Sequence, residues 1–173
     1  VVINNAGTMT WGVYVDMSDE EIDLVMDINL RGAMYGCRVF APRLAARGGG
    51  QIVNMASMSS IFASPFQSTY NASKWGLRGF SRSLRMELHR SRVGVSCIMP
   101  GTIATDFMKR ARSHDDTSIE LLTRNMHRFG ASPKRVAIKT LRAVRWNFGE
   151  QLVGVDAYIV AFVQRFLPGV LPF

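Results

Sequence analysis

The sequence predicts a doubly wound α/β fold, in which a parallel sheet carries helices on both faces. Short apolar blocks rich in valine and isoleucine alternate along the chain with longer segments of helical periodicity, and this alternation is typical of βαβ units. The chain has 173 residues, of which 47% are hydrophobic and 20% are charged, and these values suit one soluble globular domain. We therefore predict a single domain of this class over residues 1–173.

The first half of the chain supplies two predicted strands and two predicted helices. The apolar, β-branched run Val1 to Ile3 leads into a turn at Asn4 to Gly7. Ser18 and Glu21 have the spacing of a capping box, which marks the start of a helix. The predicted elements are a strand at 1–3, a helix from about 18, a helix over 29–47 ended by the glycines at 48–50, and a strand over 51–55.

The second half continues the same alternation. Ser132 and Pro133 fit a helix N-cap followed by proline at the first helical position, and Pro168 and Pro172 end the last helix. The predicted elements are a helix over 68–90, a strand over 92–98, a polar and helix-prone stretch over 106–130, a helix from 133, a strand over 151–155 and a helix over 156–167. The residues predicted on the apolar side of the helix from 133 are Val136, Ile138, Leu141 and Val144.

Charge, cysteine content and the pattern of apolar residues indicate the cellular compartment of the protein. Lysine and arginine total 21 against 13 acids, for a net charge of +8, and the first 30 residues hold six of the acids and no base. Cys37 and Cys97 lie in apolar stretches and are predicted to be free buried thiols. With no secretory leader pattern and no apolar run of membrane-spanning length, we expect a cytoplasmic protein. Because the chain opens on Val1 rather than methionine, we expect that a segment precedes it.

Three side chains, Ser57, Tyr70 and Lys74, form the predicted reaction centre. Tyr70 and Lys74 are four residues apart in the predicted long helix, so they face the same side. A free tyrosine has a pKa of about 10 and is a poor acid or base near neutrality unless a cation favours the phenolate; Lys74 is placed to supply that cation. Ser57 follows a predicted strand, so its hydroxyl can join the phenol in polarising a carbonyl toward hydride attack. Each residue alone also has a structural interpretation, as a loop hydroxyl or as part of an exposed pair.

Five segments occur together in the order and spacing of one protein family. They are Asn4-Asn5-Ala6-Gly7, Asn29, the Ser57 to Tyr70 spacing, Tyr70-x-x-x-Lys74, and Pro100-Gly101-Thr102-Ile103-x-Thr105. The chain thereby resembles the short-chain dehydrogenase/reductase family, over nearly its whole length up to the last strand. A single Y-x-x-x-K motif is weak evidence for this family, because the motif often arises by chance on surface helices. Five matches with compatible spacing are strong evidence. The resemblance implies a Rossmann-like sheet and hydride transfer between a nicotinamide cofactor and an alcohol or ketone.

The resemblance also implies a role for each matching residue. Tyr70 is expected to be the general acid in carbonyl reduction, or the base in alcohol oxidation, and Lys74 to lower the tyrosine pKa and bind the nicotinamide ribose. Ser57 is expected to orient the substrate oxygen, and the backbone of Asn29 to hold a water in a proton relay. No metal site is expected. The residues expected to contact the cofactor are Asn5, Ala6, Gly7, Tyr70, Lys74, Pro100, Gly101, Thr102, Ile103 and Thr105.

The sequence departs from the family pattern in lacking its glycine-rich phosphate loop. The glycines at 48–50 cannot replace it, because they precede a strand, whereas a pyrophosphate site needs glycines between a strand and a helix N-terminus. The resemblance places Val1 in the first strand of the second half of the domain, so the fold is expected to be N-terminally truncated, without its first βαβαβ half. We therefore expect part of a longer reductase, or a truncated product that does not work unaided, with an exposed edge at its first strand. The cofactor is NADP or NAD, and the basic charge favours NADP.

The sequence leaves substrate and lid assignments open. Residues 106–130 fit either a mobile lid or a surface excursion. The run from Tyr158 to Val163, with Phe166 and Leu167, fits either a core helix or one that docks on a membrane surface or a neighbouring subunit. Six residues fit either a pocket for an apolar alcohol or ketone or core packing: Met58, Ile61, Phe62, Phe66, Phe107 and Met108.

Two other functions also remain open. Arg78, Arg82 and Arg85 lie at helical spacing and would suit an acidic carrier protein, as in a 3-oxoacyl-carrier-protein reductase, although the sequence reads Val153-Gly154-Val155-Asp156 where such reductases usually have a glycine pair. The other alternative is a non-catalytic subunit or pseudo-enzyme that binds partners through its basic surface. Nucleic acid is not expected, since no aromatic-interleaved basic motif accompanies the charge. The resemblance implies a homo-oligomer formed through the two long helices that flank the middle strand.

Overall fold

The protein is described over residues 1–167 in a computed structural model, and its elements follow the predicted alternation. The strands are β1 (Val2–Asn4), β2 (Thr10–Trp11), β3 (Gly50–Met55), β4 (Val93–Pro100), β5 (Arg112–Ser113) and β6 (Glu150–Val153). The helices are α1 (Asp19–Met26), α2 (Gly32–Ala46), α3 (Ser68–Glu87), α4 (Asp116–Phe129), α5 (Pro133–Arg145) and α6 (Val155–Phe166). The main sheet is parallel, with strand order β1-β3-β4-β6. The α/β prediction is confirmed.

The two central strands form the core of the sheet. Ile52 and Val53 in β3, and Val95 and Ile98 in β4, are completely buried, and Ile52 pairs in register with Val95. Successive residues of a strand point to opposite faces of a sheet, so this continuous apolar pattern requires cover on both faces. The helices α2 and α3 supply it on one face and α5 supplies it on the other.

The two faces differ in how completely they are covered. On the α3 face, Leu77 is 1% exposed. On the α5 face, Ala143 packs on Val53, but Ile138 is 56% exposed and Leu141 is 66% exposed. The predicted apolar side of α5 is therefore only partly buried among residues 1–167, because that helix touches the sheet through Ala143 and the half-buried Val136 and Val144.

The first two helices form one continuous helical segment. The capping box is present, since the Ser18 hydroxyl accepts from the Glu21 N–H while the Glu21 carboxylate accepts from the Ser18 N–H. A π-helical turn at Asp27–Arg31 joins α1 to α2, so the predicted separate helix start at Asn29 is wrong. No glycine or proline occurs from Asp19 to Arg31, and the π turn changes the direction of the helix without ending it.

A small second sheet was not predicted. The two-residue strands β2 and β5 pair in parallel, and they tie the segment after β1 to the segment that precedes α4. Two residues are too few to show the alternation by which a strand is recognised in sequence. The region 106–130 is thus partly ordered by β5 and α4, and its position is fixed at one end by this pairing.

The last helix, for which the sequence left core packing and surface docking open, is only partly packed in the core. Ala157 of α6 is buried, whereas the larger apolar side chains are largely exposed: Tyr158, Ile159, Phe162, Phe166 and Leu167. Pro168 and Pro172, predicted to end this helix, lie outside the described residues. Among residues 1–167, no helix has both the length and the apolar character that crossing a bilayer requires.

Candidate active site

The predicted site residues meet at the carboxyl ends of β1, β3 and β4. They line a cavity of about 1100 Å³, at the edge where parallel α/β sheets bind ligands. The predicted residues in its wall are Asn5, Ala6, Gly7, Ser57, Tyr70, Lys74, Pro100, Gly101, Ile103 and Thr105. Asn29 and Thr102 are not in the wall; each instead holds a wall segment in place.

Ser57, Tyr70 and Lys74 are brought together as the spacing predicts. Tyr70 and Lys74 lie on one side of α3, with the Lys74 ammonium 5.5 Å from the centre of the Tyr70 ring. Ser57 follows β3 and starts a short 3-10 turn, in which its hydroxyl accepts from the Ser59 N–H at 3.1 Å. Ser59 and Ser60 are buried away from the cavity wall. Of the serines in this loop, Ser57 therefore faces the phenol.

Burial acts on the pKa of both Tyr70 and Lys74. It raises the pKa of the phenol above its ordinary value, and the hydrogen bond with Ser57 opposes that shift. Burial also lowers the pKa of the Lys74 ammonium to about 8, and this ammonium donates to the Met55 carbonyl at 2.9 Å. Burial therefore opposes the effect expected of Lys74 on the phenol, because removal from water disfavours the charged form of both groups.

Asn29 acts through its side chain. Its carbonyl oxygen accepts from the Thr8 N–H at 2.8 Å, and its amide donates to the Thr8 carbonyl at 2.9 Å and to the Ser73 hydroxyl at 3.0 Å. Ser73 in turn donates to the Tyr70 carbonyl. The buried amide therefore joins the segment after β1 to the helix that carries Tyr70, and Ser73, which was not predicted, completes the link.

The segment after β4 is held by a carboxylate that was not predicted to belong to the site. Asp156 accepts from the Thr102 N–H at 2.6 Å. A Cβ at Gly101 would lie 2.2 Å from an Asp156 oxygen, so only glycine fits there. Gly154 has a φ of +104°, a conformation that glycine adopts freely, and it carries the chain from β6 into α6. Asp156 and Thr102 are 54 residues apart, so no local motif could reveal the pair.

The apolar part of the cavity is only partly the one predicted. Phe107 lines it, with its ring 5.9 Å from that of Tyr70. Ile61 and Met108 are core residues, and Phe66 stacks on Trp11 at the surface. Lining residues that were not predicted for the site are Thr8, Arg110, Met126 and Thr140.

The arginine row on α3 is engaged in contacts within the chain. Arg78 and Arg82 both bind the Glu150 carboxylate, at 2.8 and 2.5 Å. Burial alone would raise the pKa of Glu150, but the hydrogen bonds from the two arginines outweigh it and hold this pKa at about 2. Arg85 donates to the carbonyls of Val95 and Asn147. These contacts fasten α3 to β4, β6 and the loop before β6.

The cavity has groups that fit part of a nicotinamide cofactor. The Lys74 ammonium and the Tyr70 hydroxyl are donors suited to a ribose, and the small residues Ala6 and Gly7 leave the wall open beside them. The Thr140 hydroxyl is buried without a hydrogen-bond partner among residues 1–167, as expected of a wall that faces a polar ligand. Within the same described range, no three side chains are placed to hold a metal ion.

Comparisons with known proteins agree with this geometry. The short chain dehydrogenase family model matches residues 1–116. The oxidoreductase SadH of Mycobacterium tuberculosis is 33% identical over 171 residues, which cover 96% of this chain and 62% of SadH. A 3-oxoacyl-[acyl-carrier-protein] reductase, FabG of Chlamydia muridarum, is 41% identical over 111 residues, or 63% of this chain and 44% of that protein.

A solved structure shares the fold. The short-chain dehydrogenase/reductase of Burkholderia phymatum, solved in complex with NAD, superposes with a TM-score of 0.84 at 24% identity, over 94% of this chain and 64% of that one. The chain belongs to the short-chain dehydrogenase/reductase family and has its Rossmann-like fold. It spans less than two thirds of each of these three proteins.

Proposed function

We propose that the protein is an oxidoreductase that transfers a hydride between a nicotinamide cofactor and an alcohol or ketone. The observation that carries the proposal is the convergence of Ser57, Tyr70 and Lys74 on one cavity wall. The cofactor would supply the hydride in reduction and accept it in oxidation. The Burkholderia phymatum relative was solved with NAD, whereas the basic charge of this chain favours NADP, and we leave both as candidates.

The residues of the chain have separate tasks in this reaction. Ser57 and Tyr70 donate hydrogen bonds to the substrate oxygen, and in reduction Tyr70 gives its proton to that oxygen as the new C–H bond forms. Burial raises the pKa of Tyr70, which favours the protonated phenol that the acid role requires. Lys74 binds the ribose and, when charged, stabilises the phenolate left after proton transfer. Asn29 is a positioning residue for this wall.

The cofactor site needs residues beyond those that this chain brings to the cavity. The sequence contains no glycine-rich loop between a strand and a helix, and Ile3 on the edge strand β1 is 51% exposed. A preceding strand–loop–helix segment would pair with that edge and hold the pyrophosphate at a helix N-terminus. We therefore assign residues 1–173 to the second half of a longer domain.

A joined protein tests this function. The chain is fused at Val1 to the part of SadH that precedes the matched region, and cofactor-dependent turnover of apolar ketones is followed by absorbance. Turnover should fall by about 10²- to 10⁴-fold in Tyr70→Phe and stay unchanged in the control Tyr14→Phe, since Tyr14 is exposed and lies outside the cavity wall. Absence of turnover in both wild type and Tyr70→Phe would refute the proposal and favour a non-catalytic protein, whereas equal turnover in both would refute the role assigned to Tyr70.

Reduction of carrier-linked acyl chains is the second candidate. The similarity to FabG favours it. Against it, Arg78 and Arg82 are already paired with Glu150, so they do not form a free basic patch for an acidic carrier. Preference of the joined protein for acyl thioesters over simple ketones would support this candidate.

A homo-oligomer through α2 and α3 also belongs to the proposal. Both helices have large apolar side chains that are exposed. A single exposed apolar side chain is common on protein surfaces, but several on two adjacent helices are typical of an interface. The exposed residues concerned are Tyr35, Val39, Phe40, Trp75 and Met86.

A further inference from the structure

The cavity contains a cationic side chain that the proposed hydride transfer does not use. Arg110 lines the cavity at the end of the 3-10 turn Met108–Arg110, and its N–H donates to the Phe107 carbonyl at 3.2 Å. The Phe107 ring lies 5.9 Å from the Tyr70 ring. Arg110 is therefore one short turn away from the side chain that packs against the proposed proton donor.

The carboxylate in the same part of the wall is already neutralised. Asp106 binds the Lys109 ammonium at 3.0 Å and His127 Nε2 at 3.1 Å, and hydrogen bonds from Lys109 and then His127 lower the pKa of Asp106. Arg110 forms no ion pair with any residue in the described part of the chain, 1–167. Arg110, an exposed residue of the cavity wall, is thus without a matching carboxylate among these residues.

Apolar side chains line the same cavity as Tyr70 and Arg110. Phe107 and Met126 are in its wall, and both pack in the cluster that contains Tyr70. The wall thus includes hydroxyl donors at Ser57 and Tyr70, apolar side chains, and the Arg110 side chain. A ligand that matches these groups has a carbonyl or hydroxyl, an apolar body, and an anionic group.

We propose that Arg110 binds the carboxylate of the substrate, so that the substrate class is oxo or hydroxy acids with an apolar chain. The inference rests on the proposed function. Arginine binds a carboxylate through two parallel hydrogen bonds, which fixes orientation as well as adding affinity. A cofactor phosphate is also an anion that arginine could bind. We favour the substrate carboxylate because Arg110 is three residues from Phe107, whose ring packs near the Tyr70 ring, and the substrate oxygen must lie at the Tyr70 hydroxyl.

A matched pair of ligands tests the inference. A medium-chain oxo acid and its methyl ester differ only in the charge that Arg110 would bind. In the joined protein we expect kcat/KM for the acid to exceed that for the ester by about tenfold. Arg110→Gln should remove this preference while leaving kcat/KM for the ester unchanged, and Arg110→Lys should keep part of it. Arg124→Gln, which removes the same charge from an exposed residue of α4 outside the cavity wall, should keep all of it.

Binding of the oxo acid to the chain itself, measured by calorimetry without cofactor, gives a readout that does not depend on turnover. Tighter binding of the acid than of the ester, lost in Arg110→Gln but kept in Arg124→Gln, supports the inference. Equal binding and equal turnover of acid and ester would overturn it and leave the proposed function standing. Weaker cofactor binding in Arg110→Gln, with the acid preference intact, would assign Arg110 to a cofactor phosphate and also overturn it. Failure of the proposed function is distinct, since Tyr70→Phe would then match wild type.

Discussion

The two faces of the main sheet are stabilised to different extents. The face under α2 and α3 is closed by fully buried side chains such as Leu77, whereas α5 leaves Ile138 and Leu141 largely in water. Tyr70 and Lys74 lie on α3, so the geometry of the proton-transfer groups is fixed by contacts within this chain. The opposite face and the β1 edge are only partly covered among residues 1–167. In the proposed function, cofactor binding depends on a further segment that covers them. Reaction geometry and cofactor affinity are therefore separable properties of this domain.

The largest expected effect compares one leucine from each face. Leu77→Ala opens a cavity in a closed core and should lower the free energy of unfolding by about 3 to 5 kcal/mol. Leu141→Ala removes a side chain that is 66% exposed and should change it by less than about 0.5 kcal/mol. Urea denaturation of the chain measures both. A similar loss for the two variants would mean that the faces do not differ as described.

A smaller effect concerns the buried ammonium on the closed face. The pKa of Lys74 is about 8 when folded, against 10.5 for the unfolded side chain, so between these values the unfolded state binds more protons and stability must rise with pH. We expect a gain of about 2 kcal/mol from pH 8 to pH 10 that is missing in Lys74→Met. Measuring the free energy of unfolding of both proteins from pH 8 to pH 10 checks this prediction. The same change with pH in wild type and Lys74→Met would contradict the burial of the Lys74 ammonium.

The smallest of these effects tests the attachment of α3 to β6. The Glu150 pKa is held at about 2, below its ordinary 4.5, so the stabilisation is complete above pH 4.5 and is lost as the pH falls toward 2. Glu150→Gln should lower the free energy of unfolding at pH 7 by about 1 kcal/mol, since Glu150 is partly exposed and solvent screens the pair. The difference from wild type should vanish near pH 2. A difference that persists there would assign the loss to packing instead of charge.

The sequence predicted those parts of the fold whose signals are local. The strands around Ile52 and Val95 and the helix that carries Tyr70 follow from periodicity, and the capping box at Ser18 from two residues. The parallel pairing of β2 with β5 joins segments about a hundred residues apart. No local pattern in either segment predicts this pairing. The π turn at Asp27–Arg31 also has no compositional marker.

The site shows the same division between local and distant information. The Tyr70–Lys74 spacing predicts a shared face, and the structure has it. The direction of the Tyr70 pKa shift depends on burial, which the fold determines and the Tyr70–Lys74 spacing does not show. The hydrogen bond from Thr102 to Asp156 joins residues 54 apart in the chain. That contact and the place of Arg110 in the cavity wall depend on the fold, and residue type alone indicates neither.

Single-turnover deuteride transfer is the most direct test of proton donation by Tyr70 beside a nicotinamide. The joined protein would be mixed with reduced cofactor deuterated at the nicotinamide C4 and with a medium-chain ketone, and the alcohol analysed by mass spectrometry. We expect deuterium on the carbinol carbon in wild type, with the rate at saturating cofactor reduced by about 10²-fold or more in Tyr70→Phe. Transfer at the same rate in both proteins would contradict the account.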